Sequence, residues 1–303
     1  SNNIPDSKGI NSYLRDKSFA KLLEYYCGKE LFEQVENKFI ELGEVVGSEL
    51  EELALSADKN PPKLKKRSRV GELSNNIEKH PDFIKIEKLA FEKFGLAAMS
   101  HRHGVFGMQK LLPPIVKYGL TFLFVQSEFG LCCPLSMTDS LTRTLTKFGD
   151  KKLIEKFIDQ LTSQDLDHLF QGAMFMTEQH AGSDVGSIDT FAECEDGNWF
   201  LTGDKWFCSN PDADLAMVLA RHNKEISGTK GLALFLLPKK LENGDPNNYE
   251  IIRLKDKLGG RSFASGEIKL NRAFAYLVGN PDEGFKQMTD MINMSRLANG
   301  VRA

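Results

Sequence analysis

The chain has 303 residues, 41% of them hydrophobic and 27% charged, the make-up of a globular protein with at least one full core and one to three domains. A formal charge of −3 exerts no overall pull towards nucleic acid or an anionic membrane. No N-terminal stretch reads as a secretory leader, and the apolar region from Leu111 to Met137 is broken by Pro113, Pro114, Lys117, Gly119, Glu128 and Pro134, so no membrane span is expected.

Residues 1–170 read as helices. Leu31, Phe32, Val35, Phe39 and Leu42 recur every three to four positions, and Val45, Val46, Leu50 and Leu53 continue the stripe. The run Lys63 to Arg69 that follows Pro61-Pro62 lacks interleaved aromatics and reads as a solvated basic linker rather than a nucleic-acid patch. His80-Pro81-Asp82 opens another helix, proline being tolerated in a first turn, with Phe83, Ile86, Leu89, Ala90 and Phe94 on its apolar face. His101-Arg102-His103 has no carboxylate or cysteine at ligand spacing, which favours a helix-end or packing role over phosphate or substrate binding. Two further helices are expected to meet at Gly149-Asp150, a terminal glycine followed by an N-cap aspartate.

The period changes after Gly172. Thr190 to Glu195 alternates, Asp196-Gly197 is a hairpin turn, and Trp199 to Thr202 begins the return strand. Short strands follow at Leu215 to Ala220, Leu232 to Leu237, Glu250 to Leu254 and Ala264 to Leu270, with a glycine-rich bend at Gly259-Gly260-Arg261. From Gly284 the pattern is helical again and runs to Ala303 without a stop signal, as in a C-terminally incomplete chain. The expected fold is therefore α+β: an N-terminal all-α helical domain over residues 1–170, a middle antiparallel β-barrel-like domain over 171–282, and the start of a C-terminal helical bundle over 283–303. The five cysteines, Cys27, Cys132, Cys133, Cys194 and Cys208, show no C-x-x-C spacing. Neither a disulfide framework nor a metal site is expected, and a reducing, cytoplasmic setting is. Vicinal Cys132-Cys133 reads as two small buried hydrophobes in preference to a redox pair.

The stretch Met176 to Ile188 concentrates chemistry. An apolar lead-in ending in Met174-Phe175 runs into Thr177, Gly182, Ser183, Gly186 and Ser187. Glycines let a backbone approach a bulky ligand, and hydroxyls and amide N–H groups bond its heteroatoms. The same composition also makes ordinary turns, so the loop alone leaves both readings open.

Order and content together resemble the acyl-CoA dehydrogenases. The carriers are a helical domain, Met-Thr-Glu-x-x-x-Gly-Ser-Asp from Met176, Gly203-Asp204-Lys205-Trp206-Phe207, and Arg296 in a returning helix. The likeness covers residues 80–303 in register. Within the family, His80-Pro81-Asp82-Phe83, Lys205-Trp206-Phe207, the run Arg253 to Ser262 and Ala275 to Gly279 resemble the AidB-type branch associated with the adaptive response to alkylation damage.

The resemblance implies an FAD-dependent oxidoreductase of fatty acid metabolism. In it Met174, Met176 and Thr177 line the isoalloxazine, Gly182 and Ser183 lie where flavin meets acyl-CoA, and Trp206, Phe207 and Cys208 form the facing wall. The family pattern has threonine where Cys208 stands, so either Ser209 substitutes or that contact is missing. The implied reaction takes the α-proton with a glutamate while the β-hydrogen leaves as hydride to flavin N5. The base is not identifiable: one position used in the family is Ser295 here, and Glu178 and Asp184 read as loop-fixing carboxylates. Arg296 matches the arginine that organises the substrate end of its helix. An electron-transfer flavoprotein as acceptor and a homodimer or homotetramer also follow from the resemblance. The alternatives are an oxidase, or an AidB-type flavoprotein that binds DNA with little dehydrogenase activity.

Overall fold

The computed structural model describes residues 6–303. Its N-terminal part contains α1 (Ser12–Arg15), α2 (Lys17–Cys27), α3 (Lys29–Val46), α4 (Glu49–Lys59), a hairpin of β1 (Lys63–Arg67) and β2 (Leu73–Glu78), α5 (Pro81–Glu87) continued by a π-helical turn (Lys88–Lys93), α6 (Pro114–Phe124), α7 (Cys132–Phe148) and α8 (Lys151–Leu161). Then come β3 (Gly172–Phe175), β4 (Phe191–Glu195), β5 (Asn198–Ser209), β6 (Leu215–Arg221), β7 (Leu232–Pro238), β8 (Tyr249–Leu254), β9 (Ser265–Val278) and α9 (Gly284–Arg302). No helix among the described residues is long and apolar enough to cross a membrane.

The helix boundaries follow from local chemistry. Phe32, Val35, Phe39, Leu42 and Val46 form the buried face of α3. The apolar stripe does not run on unbroken, because α3 stops at Gly47 and α4 restarts after Ser48. His80 caps α5, its Nδ1 accepting from Asp82 N at 3.3 Å with Pro81 in the first turn. Asp150 Oδ1 accepts from Leu153 N at 2.9 Å and so caps α8. Gly149 is not left-handed, with φ −66°. It is crowded instead: a Cβ there would lie 2.7 Å from Leu145 O.

The all-helical expectation for residues 1–170 fails at the hairpin. The basic run forms β1, antiparallel to β2, and is no linker. Asn75 holds it to the barrel edge, donating Nδ2–H to Tyr249 O at 2.7 Å and accepting from Ile251 N at 2.9 Å. Ile77 drops into the barrel core. With only Leu64 and Ile77 turned inward, the sequence carries too little apolar alternation to announce a strand.

Strands β6, β7, β9, β5 and β4 pair in a ring, closed by a single bridge between Phe191 of β4 and Arg221 of β6. β8 adds to β9, and β3 adds to β6. The expected antiparallel barrel is thus correct in outline, with β3 and the closing bridge of β4 both parallel to β6. Asp196 (φ 49°) and Gly197 (φ 81°) make the tight turn between β4 and β5. Gly260 (φ 58°) supplies the bend between β8 and β9. β6 and β7 are buried on both faces. Ala216, Val218 and Ala220 point into the barrel, while Leu215, Met217 and Leu219 meet Met137, Leu141 and Leu145 of α7 and Met288 and Met291 of α9. This second core joins helices to barrel. Removal of each such leucine from water contributes about 1.5–3 kcal/mol. The cysteines are free, with Cys132 buried and Cys133 half-buried, as packing residues would be.

Candidate functional site: a loop and bulge wall on the barrel

Two segments meet at the end of β3. The first is the loop that starts at Met176; the second is the bulged half of β5. Between Lys205 and Cys208 the β5–β9 register shifts by one residue, and Phe207 takes φ 55°. A positive φ is costly for an aromatic residue, and bulges re-aim side chains out of the pleat. Here the outcome is that Trp206 is half-buried and Phe207 is 55% exposed, their rings edge-to-face at 6.1 Å. A hydrogen bond of 2.8 Å from Trp206 N to Thr177 O ties the bulge to the loop.

Beneath this contact lies a buried ion pair. Lys205 is fully buried, and its Nζ donates to Glu178 Oε1 at 2.6 Å and to Met176 O at 3.3 Å. Glu178 also accepts from Asp189 N (2.6 Å), Thr190 N (3.1 Å) and Thr190 Oγ1 (2.5 Å). Burial alone would raise the Glu178 pKa, but the Lys205 charge and these hydrogen bonds hold the carboxyl below its ordinary range. With its lone pairs engaged, Glu178 fixes the loop and is not free to take a substrate proton. Asp184 acts similarly on the outer half of the loop, accepting from Gly186 N at 3.1 Å and from the Ser187 hydroxyl.

Beside the aromatics runs a cleft of about 300 Å³, lined by Trp206, Phe207, Arg253, Lys255, Asp256 and Glu267. Arg253 lies over the Trp206 ring at 5.9 Å and Lys255 over Phe207 at 4.5 Å. Arg253 is paired with Glu267 at 2.7 Å, which leaves Lys255 as the cation beside the aromatics. Aromatic faces next to a loop rich in backbone N–H and hydroxyls suit a planar ligand with polar edges, and the ring system of FAD fits them.

Met174, Met176 and Thr177 are half-buried, and Gly182 and Ser183 are exposed on the loop. A Cβ on Gly182 would meet nothing within 4 Å, so the loop is open to a ligand there. Cys208 is placed otherwise than expected. The extra residue of the bulge turns its side chain into the barrel core, 0% exposed, with burial pushing the thiol pKa well up. Its thiol is therefore withdrawn from the wall, and Ser209 is the half-buried hydroxyl, 3.5 Å from Ser265 Oγ. Arg296 sits on the exposed side of α9, and Ser295 is half-buried. The packing role expected of His101 is observed: Nε2 lies 2.7 Å from Asp139 Oδ1, and Lys117 Nζ holds the other oxygen at 2.7 Å. Lys205, Arg253 and Lys255 enter the sequence reading only inside motifs that carry the resemblance, with no role of their own. The signal for Lys205 is its place in the Gly203-Asp204-Lys205-Trp206-Phe207 motif, since the mixed polar and apolar sequence of β5 does not mark it as buried.

Comparison with known proteins agrees with this architecture. The family model described as the adaptive response protein AidB N-terminal domain matches residues 2–168, and that of the acyl-CoA dehydrogenase middle domain matches residues 173–273. The chain belongs to the acyl-CoA dehydrogenase family, with an N-terminal region of the AidB type. It is 30% identical over 300 residues to acyl-CoA dehydrogenase family member 11 of Caenorhabditis elegans, across 96% of this chain and 48% of that protein. To the putative acyl-CoA dehydrogenase AidB of Escherichia coli strain K12 it is 32% identical over 274 residues, across 84% of this chain and 47% of that protein. The crystal structure of Caenorhabditis elegans ACDH-11 in complex with C11-CoA superposes with a TM-score of 0.87 at 28% identity, covering 100% of this chain and 52% of that one. The chain thus spans about half the length of these curated relatives.

Proposed function

We propose that this chain is the flavin-holding part of an FAD-dependent acyl-CoA dehydrogenase that forms the α,β double bond of an acyl-CoA thioester. The observation that carries the reading is the Trp206–Phe207 bulge hydrogen-bonded to the Thr177 backbone, beside Arg253 and Lys255. Bound FAD would supply the hydride acceptor. On this reading Met174, Met176, Thr177 and Trp206 hold the ring system, Lys255 offsets its negative charge while Arg253 is already paired with Glu267 at 2.7 Å, and Gly182, Ser183 and Arg296 face the thioester. The nematode relative was crystallised in complex with C11-CoA, which supports an acyl-CoA as the ligand class. Proton abstraction is assigned neither to Glu178, whose oxygens are engaged, nor to Ser295, which has no carboxylate. An electron-transfer flavoprotein as acceptor and a homodimer or homotetramer complete the proposal.

The test is the absorbance of the full-length protein in the flavin bands and its bleaching by acyl-CoA. Bound flavin that no acyl-CoA of any chain length bleaches would sink the dehydrogenase reading. Trp206→Ala should weaken FAD retention about tenfold, the scale of one lost aromatic contact; unchanged flavin content would remove Trp206 from the wall. The DNA-binding alternative gains little from the basic hairpin, because Lys65 is paired with Glu78 at 3.2 Å and Lys66 with Glu250 at 3.5 Å. Salt-sensitive binding of duplex DNA by the full-length protein would restore it.

A further inference from the structure

Lys205 and Glu178 each adjoin a residue of the wall. Glu178 directly follows Thr177, and Lys205 directly precedes Trp206. Their 2.6 Å pair is buried on both sides, with side-chain exposures of 0% and 8%. Glu178 also gathers Asp189 and Thr190, which end the loop that Met176 begins. Thr190 in turn packs against Gly203 on β5, where a Cβ would come within 2.5 Å of its Oγ1. Thus one carboxylate joins both ends of the loop, and one ammonium joins that carboxylate to the bulged strand. Removing a buried pair's charge on both sides often costs little stability, so stability and loop positioning by this pair can be separated experimentally.

We propose that Lys205 and Glu178 are positioning residues that set the distance between the Thr177 and Trp206 sides of the flavin wall. The role rests on the flavin reading above. Both side chains are buried behind the wall, at 0% and 8% exposure, and act on it through the Trp206 N to Thr177 O contact and the Met176 carbonyl. Stability and positioning separate in the double variant Lys205→Met with Glu178→Gln. It leaves no buried charge unpaired, and with its carbonyl in the place of Oε2 the glutamine still accepts from Asp189 N and Thr190 N, while its amide can donate to the Thr190 hydroxyl, which turns to accept.

The experiment uses full-length protein stripped of flavin. Lys205→Met alone should lower both Tm and FAD affinity. The double variant should recover most of the Tm while its Kd for FAD stays about tenfold above wild type, the scale of a lost charged hydrogen bond. In a Trp199→Phe background, Trp206 emission in the flavin-free double variant should shift to the red and become more open to quenching by acrylamide. A double variant with recovered Tm, wild-type Kd and unchanged Trp206 emission would overturn the role. Should the double variant not fold, Glu178→Asp keeps the charge and shortens the reach: a weakened FAD affinity supports positioning, and a wild-type Kd refutes it. A wild-type protein that takes up no FAD overturns the flavin reading itself, and this role with it, an outcome distinct from wild-type binding that the variants match.

Discussion

Single residues in this protein carry buried charge, and the physical consequence is a sensitivity to acid. Asp139 is buried, which by itself would raise its pKa, yet His101 and Lys117 hold the carboxyl below its ordinary range; Glu178 is held down in the same way. A carboxyl with a depressed folded pKa contributes stability that is complete above its unfolded value, about 4, and is lost as pH falls through the folded value. Glu128 and Asp214, pushed up by burial, act in the opposite sense. The clean readout is therefore a difference between variant and wild type. Thermal melts from pH 7 to pH 3 should show a smaller acid loss for Asp139→Asn than for wild type, and parallel curves would refute the assignment. At neutral pH, Asp139→Ala leaves Lys117 buried beside a lost partner and should cost about 3 kcal/mol, read by denaturant unfolding. Much of this was hidden from the sequence. His101 reads as a packing residue from its surroundings, but its partner Asp139 lies 38 positions away.

Elements differ in how openly the sequence declares them. The apolar runs of β6 and β7 are legible because both faces of each strand are buried, and a run without polar interruptions has few other uses in a chain of this kind. The Asp196-Gly197 turn and the Asp150 cap are equally plain, since each depends on a few adjacent residues. Asp150→Ala should destabilise the fold by about 1 kcal/mol in urea unfolding. The start of α9 is a different matter. A Cβ at Gly284 would lie 2.4 Å from the backbone of Ala233, so α9 sits on β7 with no room for a methyl group. Gly284→Ala should cost about 2 kcal/mol by the same measurement, and a neutral result would show that the helix can lift without penalty. The β1–β2 hairpin was not legible because the barrel edge specifies it more than its own residues do.

At the scale of the whole molecule, the second core makes helices and barrel interdependent. α7, α8 and α9 bury Leu141, Phe157 and Met291 against Leu219 and Leu234 of the sheet. Such sharing predicts one cooperative transition. Unfolding followed by tryptophan emission, which reports Trp199 and Trp206 on β5, should coincide with unfolding followed by far-ultraviolet circular dichroism. Two separated transitions would mean that the shared core is too weak to couple the two parts.

The sequence by itself determined the α+β order of elements, the family, and the two segments that build the wall, because periodicity, turn chemistry and motif content are properties of neighbouring residues. Only the tertiary structure decided which atoms meet. The β5 bulge exchanges Cys208 for Trp206 and Phe207 at the surface, a one-residue shift that strand periodicity does not reveal. Lys205 meets Glu178 across 27 positions, and Asn75 meets Tyr249 across 174. Contacts of that range depend on how the layers pack, and packing is set by the whole chain at once.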